Sequence, residues 1–361
     1  MKIVFDGHIF RWQQIGGVSR YFREIIQRLP ADWEPSVLGE ARSERLPAHP
    51  RLHASPLSPV RPRSLTQPLC RRWWKWRHLR PAQVVHPTYF NLTGGLSYAD
   101  FRCPVVITVH DMIAARYPDL EDNAAPTTRD LTAAAQAASH AICVSKATET
   151  DFLERHPHLQ GRTTVIHHGS SFPVEEVDAG PGIFERPTFL FVGRRATYKN
   201  FLLLLRAFAK ACKTNPNLRL CTAGAPLTEE ERWQIHFLGL TDRVVSHRNP
   251  SEAELQQLYR SSVALLYPSR HEGFGIPPLE AMACGTLPVT SNTTSLPEVM
   301  GDAGIMLDPT REDDWADCML AIAGQKVPRA ELLARGRRRA RELTWAESAR
   351  RHVETYRLLQ S

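Results

Sequence analysis

Apolar residues recur along this chain with two periods. Short β-branched and aromatic runs that end in glycine or polar residues alternate with stretches of helical spacing, the pattern of parallel sheets covered on both faces by helices. In the first half, residues 2–6, 83–86, 104–110, 140–145 and 163–167 read as strands. Val18, Tyr21, Phe22, Ile25, Ile26 and Leu29 fall at i, i+3, i+4, i+7, i+8 and i+11, one apolar stripe on a helix, and Gly16 and Gly17 stand at its start. The second half restarts at 188–192 and continues through 218–223, 243–248, 263–269, 286–290 and 304–307, with helical stretches between. Ser251 and Glu254 have the spacing of a capping box ahead of a helix reaching Ser262.

The alternation therefore occurs twice. The two runs are separated by 171–187, rich in Pro, Gly and acidic residues and without periodicity, which is the expected linker. The fold predicted is α/β: two Rossmann-like doubly wound domains, 1–175 and 186–343, facing each other across a cleft. A basic helix over 344–361 is expected to cross back to the first domain. A length of 361 residues exceeds what one core usually organises and agrees with two domains.

Charge narrows the partners without naming one. The formal net charge of +7 favours anionic ligands: nucleotide, nucleic acid, phosphorylated lipid or a membrane surface. Seven scattered cysteines, an odd number with no C-x-x-C pair, suit buried thiols in a reducing compartment better than a disulfide framework or a zinc ribbon. The opening MKIVFDGHIF enters a strand directly and lacks the apolar core of a signal peptide, so a cytoplasmic location is expected, extending to the inner face of the cell membrane. No apolar run approaches bilayer-crossing length, so any membrane contact would be peripheral.

The sharpest chemical signal is HEGFGIPPLEAMACGTLPV. Glu272 follows a strand, Gly273, Phe274 and Gly275 form a turn through which backbone can approach a ligand, and Glu280 lies inside a helix opened by Pro277 and Pro278. The second signal is FVGRRATYKN, a strand ending in Gly193 followed by Arg194 and Lys199. Two cations there would face a diphosphate, whose departure builds negative charge that fixed cations stabilise. Arg195 competes with Arg194 for that role. No D-x-D pair is present to hold a metal against a diphosphate, so no metal and no cofactor are expected. In ITVHD, His110 stands at the carboxyl end of a strand, where open α/β sheets take their ligands. Ser145 and His168, also near strand ends, are weaker candidates.

The HEGFGIPPLE segment resembles the E-x7-E signature of retaining glycosyltransferases of family 4, which have the GT-B fold. The resemblance runs from GGVSRY through VHD and the E-x7-E region to the terminal W-x-x-S-x-x-x-H-x-x-x-Y pattern. It implies that Glu272 contacts the donor sugar, Glu280 holds the nucleotide ribose, and Arg194 and Lys199 face the diphosphate. It further implies that His110 orients the transferred sugar and that Gly16 and Gly17 belong to a loop closing over the donor phosphates. The implied reaction moves a hexose of mannose or glucose type from a GDP- or UDP-linked donor to a saccharide or polyprenyl-linked saccharide, with retention at the anomeric carbon, in surface polysaccharide synthesis. Where the family often has Asn-Gly after a strand, this chain has His168-Gly169.

The resemblance is poorest over 34–80, where acceptor recognition commonly varies. Within it, CRRWWKWRHLR at 70–80 combines cations with tryptophans, as in a surface that touches anionic lipid headgroups, or as in a helix that packs its tryptophans on the sheet. Single-stranded nucleic acid would suit the same composition, but no nucleic-acid module accompanies it and none is expected as a partner. A sugar-nucleotide epimerase of the same fold and a non-catalytic basic adaptor are the rival functions. A nicotinamide-dependent dehydrogenase is disfavoured because no G-x-G-x-x-G follows a predicted strand.

Overall fold

The computed structural model describes residues 1–12, 16–40, 46–57, 63–120, 124–174 and 183–360. Contacts divide the chain into two compact units: Met1–His168 with Trp345–Ser361, and Gly169–Thr344. The described parts of the expected linker, 171–174 and 183–187, belong to the second unit, and 175–182 lie outside the described residues.

Among the described residues, the first unit holds seven parallel strands in two sheets. β1 (Lys2–Phe5), β2 (Glu34–Gly39), β3 (His53–Pro56) and β4 (Val84–Val85) run in the order β3-β2-β1-β4. β5 (Val106–Val109), β6 (His140–Cys143) and β7 (Thr163–Val165) run β5-β6-β7, and a single bridge, Val85 to Val105, joins the two sheets at their edges. Strand order therefore proceeds outward in both directions from the β1/β4 pair, which is the topological switch point. β2 and β3 were not among the predicted strands. Their sequences, EPSVLG and HASP, carry Pro and small polar residues in place of an apolar run, and β3 is an edge strand, where such residues are tolerated.

The predicted apolar stripe forms helix Gly17–Ile26, which buries Tyr21, Phe22, Ile25 and Ile26. These pack in one cluster with Trp345, Ala349, Val353 and Tyr356 of the terminal helix Trp345–Leu358.

Among the described residues, the second unit holds one parallel sheet of six strands. β8 (Thr188–Val192), β9 (Arg219–Gly224), β10 (Val244–Arg248), β11 (Ala264–Tyr267), β12 (Pro288–Ser291) and β13 (Ile305–Leu307) lie in the order β10-β9-β8-β11-β12-β13. The switch point falls between β8 and β11. TFLFV and ALLY are buried along their whole length, as expected of central strands covered by helices on both faces. Helix Phe201–Thr214 and helix Glu312–Ala323 contribute much of the core. The predicted capping box is formed: Ser251 Oγ accepts from Glu254 N at 3.3 Å while the Glu254 carboxylate accepts from Ser251 N at 2.7 Å.

Among the described residues no helix is long and apolar enough to cross a membrane. None of the seven cysteines, all of them among the described residues, forms a disulfide. Cys143, Cys212, Cys221 and Cys284 are buried as expected, whereas Cys70, Cys103 and Cys318 are only partly so. The 70–80 segment divides its tryptophans. Helix Arg63–Trp74 continues as a π-helical turn, Lys75–Leu79. Trp74 is fully buried and its Nε1 donates to Ser55 Oγ at 2.7 Å, while Trp73 and Trp76 stay exposed beside Leu69. Of the three tryptophans, Trp74 packs inward as the second reading of that segment expects, and Trp73 and Trp76 do not.

Candidate active site

The second unit brings together the residues that follow β8 and β11. β8 runs into Gly193, whose φ of +120° disfavours any other residue, and nothing lies within 4 Å of where a β-carbon would stand. The strand end is thus open on that side. Arg194 is exposed and makes no hydrogen bond or ion pair among the described residues. Arg195 turns into the scaffold. Its Nε donates to the Glu231 carboxylate at 2.7 Å, one terminal nitrogen donates to the carbonyls of Ala225 and Pro226 at 2.8 and 2.7 Å, and its side chain is 3% exposed. The two arginines between which the sequence left a choice thus differ: Arg195 is bound in place, whereas Arg194 has no such partner among the described residues.

Lys199 ends a short 3-10 turn, Thr197–Lys199, and is followed by Asn200 in the left-handed region. Asn200 is clamped there because its Nδ2 donates to the carbonyls of Pro268 and Pro309, at 3.2 and 2.7 Å. Lys199 Nζ then donates to Glu272 Oε1 at 2.6 Å and to Tyr267 Oη at 2.7 Å. Its ammonium also lies over the Tyr267 ring, 4.8 Å from the centroid. Tyr267 ends β11 and Glu272 follows it, so a cation from one side of the switch point meets a carboxylate from the other. Burial, and then the Glu272 charge, push the Tyr267 phenol well above its ordinary pKa, so it stays protonated.

The loop carrying Glu272 is fixed through its backbone. Glu272 N donates to Thr294 Oγ1 at 3.1 Å, and Ser295 Oγ contacts the carbonyls of Glu272 and Phe274 at 2.9 and 2.8 Å. Gly275 has φ +110°, and a β-carbon there would stand 2.8 Å from Leu296 Cδ2. Gly273 and Phe274 are buried with it, and the Phe274 ring packs inward. Helix Ile276–Ala283 then starts, with proline in its first turn. Glu280 lies on its inner side, 3% exposed, accepting from Tyr259 Oη at 3.0 Å.

The first unit gathers histidines around His110. Its ring meets Tyr21 edge-on at 4.9 Å and 88° and stacks on His168 at 5.9 Å and 8°. Its Nε2 is shielded and has no hydrogen-bond partner among the described residues. Behind it runs a connected polar chain. Tyr21 Oη lies 2.9 Å from Thr108 Oγ1 and is also bonded to His352 Nε2. His86 Nε2 is 2.9 Å from Thr108 Oγ1, and its Nδ1 is 2.6 Å from Tyr356 Oη. His352 Nδ1 is 2.7 Å from the Ser348 carbonyl.

Burial first, and then the neighbouring His352, push His110 down to about 3; burial pushes His352 down to about 4. His86 and His168 are also held well below the ordinary range by burial and neighbouring imidazoles. At neutral pH all four rings are therefore uncharged. Sequence reasoning found His110 and the terminal W-x-x-S-x-x-x-H-x-x-x-Y pattern separately. That Tyr21 joins them it missed, because Tyr21 reads as one apolar position in a helical stripe.

The weaker candidates have structural work. Ser145 caps helix Lys146–Arg155, accepting from Thr148 N at 3.0 Å, and His168 packs against His110 and Trp345. Gly16 is extended, a conformation open to any residue, and Gly17 begins the helix on the surface; residues 13–15 of that loop lie outside the described residues. Among the described residues no group of three or more His, Cys, Asp or Glu is disposed to hold a metal ion.

Two units built on parallel sheets, each with chemistry-bearing residues beyond its strand ends, define a protein of two Rossmann-like units. Solved structures place it more narrowly. Sucrose-phosphate synthase from Thermosynechococcus elongatus is similar over 99% of each chain, with a TM-score of 0.77 at 21% identity. HepE of Anabaena, solved in complex with UDP-glucose, is similar over 98% of this chain and 99% of its own, with a TM-score of 0.75 at 18% identity. WaaG, a glycosyltransferase involved in lipopolysaccharide biosynthesis, gives 0.67 at 14% identity over 98% of each chain. The fold is GT-B.

In sequence, residues 15–170 match Glycosyltransferase Family 4 and residues 175–342 match Glycosyl transferases group 1. The chain belongs to glycosyltransferase family 4. Among curated relatives, the O-antigen chain mannosyltransferase B of Escherichia coli is 34% identical over 174 residues, covering 47% of this chain and 45% of its own. The D-inositol 3-phosphate glycosyltransferase of Rhodococcus opacus is 28% identical over 311 residues, 78% of this chain and 70% of its own. The match thus spans less than half of the mannosyltransferase.

Proposed function

We propose that the chain is a retaining, metal-independent hexosyltransferase. It moves a mannose or glucose unit from a GDP- or UDP-linked donor to a saccharide or polyprenyl-linked saccharide acceptor, in synthesis of a surface polysaccharide. The observation that carries this reading is the meeting of Lys199 with Glu272 beyond β8 and β11, beside the unpartnered Arg194 and the open end of β8. Open parallel sheets take ligands at that place, and this one offers cations for a diphosphate and a carboxylate for sugar hydroxyls. The O-antigen chain mannosyltransferase B among the relatives supports the hexose and the polymer.

In the reaction proposed, the bond between the anomeric carbon and the β-phosphate oxygen breaks while the acceptor hydroxyl oxygen bonds to the same face of that carbon. The acceptor proton passes to the departing phosphate oxygen. Arg194 and Lys199 stabilise the charge that grows on the diphosphate, the service a divalent cation gives elsewhere. Glu272 orients the sugar through its hydroxyls and forms no covalent intermediate, Glu280 holds the ribose, and neutral His110 hydrogen-bonds the transferred sugar. Gly16 and Gly17 belong to the loop over the phosphates, and Gly193, Gly273, Phe274 and Gly275 shape the donor's backbone surroundings.

The exposed stripe of Leu69, Trp73 and Trp76, at i, i+4 and i+7 and flanked by exposed Arg72 and Arg77, supports peripheral contact with an anionic membrane, where a lipid-linked acceptor would be found. The test is thermal-shift and donor-hydrolysis screening across GDP-, UDP- and ADP-sugars with EDTA present, using wild type, Glu272→Ala and Arg194→Ala. One donor should stand out, with the response weakened by both substitutions. A folded wild type that responds to none of them would overturn the reading.

A further inference from the structure

The first unit carries an aromatic surface apart from the histidine cluster. A short helix, His8–Trp12, follows β1, and Tyr89 and Phe90 follow β4. Those two strands flank the switch point of the first sheet, so both segments stand where such sheets take ligands.

Asp6, at the end of β1 and buried, ties the segments to each other. Its Oδ1 accepts from both the backbone N and the Oγ1 of Thr88 at 2.7 Å, and its Oδ2 accepts from Thr93 N at 3.2 Å. Ile9 N in turn donates to Thr88 Oγ1 at 3.1 Å, which fixes the short helix onto the loop after β4. The His8 ring consequently lies nearly parallel to Tyr89 at 6.1 Å and 15°, and Trp12 tilts onto Tyr89 at 5.5 Å and 51°. Trp12 nevertheless remains 65% exposed. Arg11, exposed on the same helix, donates to Thr93 Oγ1 at 3.3 Å.

A large indole held by its neighbours yet left mostly in water is a surface awaiting a partner. The chemistry around it selects the partner. Aromatic faces carry negative charge density and attract polarised C–H groups, while the adjacent imidazole can donate to or accept from hydroxyls and the guanidinium can donate to them. A pyranose ring presents both features, a face of C–H bonds and a rim of hydroxyls. We propose that Trp12, Tyr89 and His8 form a saccharide subsite in which one pyranose ring of the acceptor stacks its C–H face on Trp12, with Arg11 and His8 at its hydroxyl rim. The word acceptor rests on the transferase reading above; the binding of a saccharide does not.

The test uses the full chain and three trisaccharides, α-mannotriose, maltotriose and cellotriose, measured by calorimetry and saturation-transfer NMR. Nucleoside diphosphate binding and oligomeric state are followed in parallel. At least one trisaccharide should bind the wild type, Trp12→Ala should weaken it about tenfold or more, and Trp12→Phe should stay within about threefold. Because Trp12 is mostly in solvent, Trp12→Ala should leave the melting temperature and nucleoside diphosphate binding unchanged. Absence of binding by the wild type, or equal binding by Trp12→Ala, overturns the subsite. A dimer that dissociates in Trp12→Ala while saccharide binding is unchanged gives the surface to a second copy, and also overturns it. A wild type that binds a trisaccharide through Trp12 but no nucleoside diphosphate sinks the donor reading and leaves the subsite standing.

Discussion

The Lys199–Glu272 pair is the feature most open to a quantitative test. At 2.6 Å, with side chains 13% and 10% exposed, the pair is well shielded but not dry. At an effective dielectric of about 20, two unit charges at that separation attract by about 6 kcal/mol gross, most of it offset by the cost of desolvating both. Removing one partner leaves the other charge shielded and unpaired, so Lys199→Met and Glu272→Gln should each destabilise the second unit by about 3 kcal/mol, the low end for buried pairs. The double variant should lose less than the sum, with a coupling of about 2 kcal/mol. Since two units need not unfold together, the readout is native-state hydrogen exchange of the β8 and β11 amides. Function separates the two residues further. Glu272→Gln releases Lys199 from its carboxylate, so a nucleoside diphosphate without sugar should bind no more weakly than to wild type, whereas Lys199→Met should lose about tenfold or more. A coupling below about 0.5 kcal/mol, the value of an exposed pair, would refute the energetic argument. Equal loss of nucleoside diphosphate by both variants would refute the division of roles.

Arg194→Ala should leave the melting temperature unchanged and weaken donor binding, whereas Arg195→Ala, which strips Glu231 and two carbonyls of their partner, should cost about 3 kcal/mol by hydrogen exchange of the second unit. His110 and His352 have folded pKa values near 3 and 4 against an unfolded value of about 6.5. Below about pH 6.5 the unfolded chain binds protons that the folded one refuses, so first-unit stability should fall as pH drops from 7 toward 4, and His352→Gln should flatten that slope in pH-resolved melting. Trp74→Ala should cost about 3 to 5 kcal/mol, while Trp76→Ala should leave the melting temperature unchanged and reduce pelleting with vesicles of anionic phospholipid. Gly275→Ala, facing both a positive φ and Leu296, should cost about 1 to 3 kcal/mol and impair donor binding.

What could be read from the sequence follows from how far apart the interacting residues lie. Central strands such as β8 and β11 are covered on both faces, so they appear as unbroken apolar runs, and their ends identify Gly193, Arg194, Lys199 and Glu272 before any contact is known. β2 and β3 carry little apolar pattern and left no comparable trace. The Thr228–Glu231 capping box is equally readable, yet nothing local states that Glu231 also binds Arg195, 36 residues earlier, and so leaves Arg194 free. The same limit hid the role of Tyr21. Its bond to His352 spans 331 positions and makes a polar junction of a residue whose neighbours in sequence are core-forming. Strand-end chemistry is legible because a parallel sheet sends every strand end to one edge whatever the sequence separation. Side chains that hold such groups in place come from any element that packs nearby, so only the folded chain reveals them.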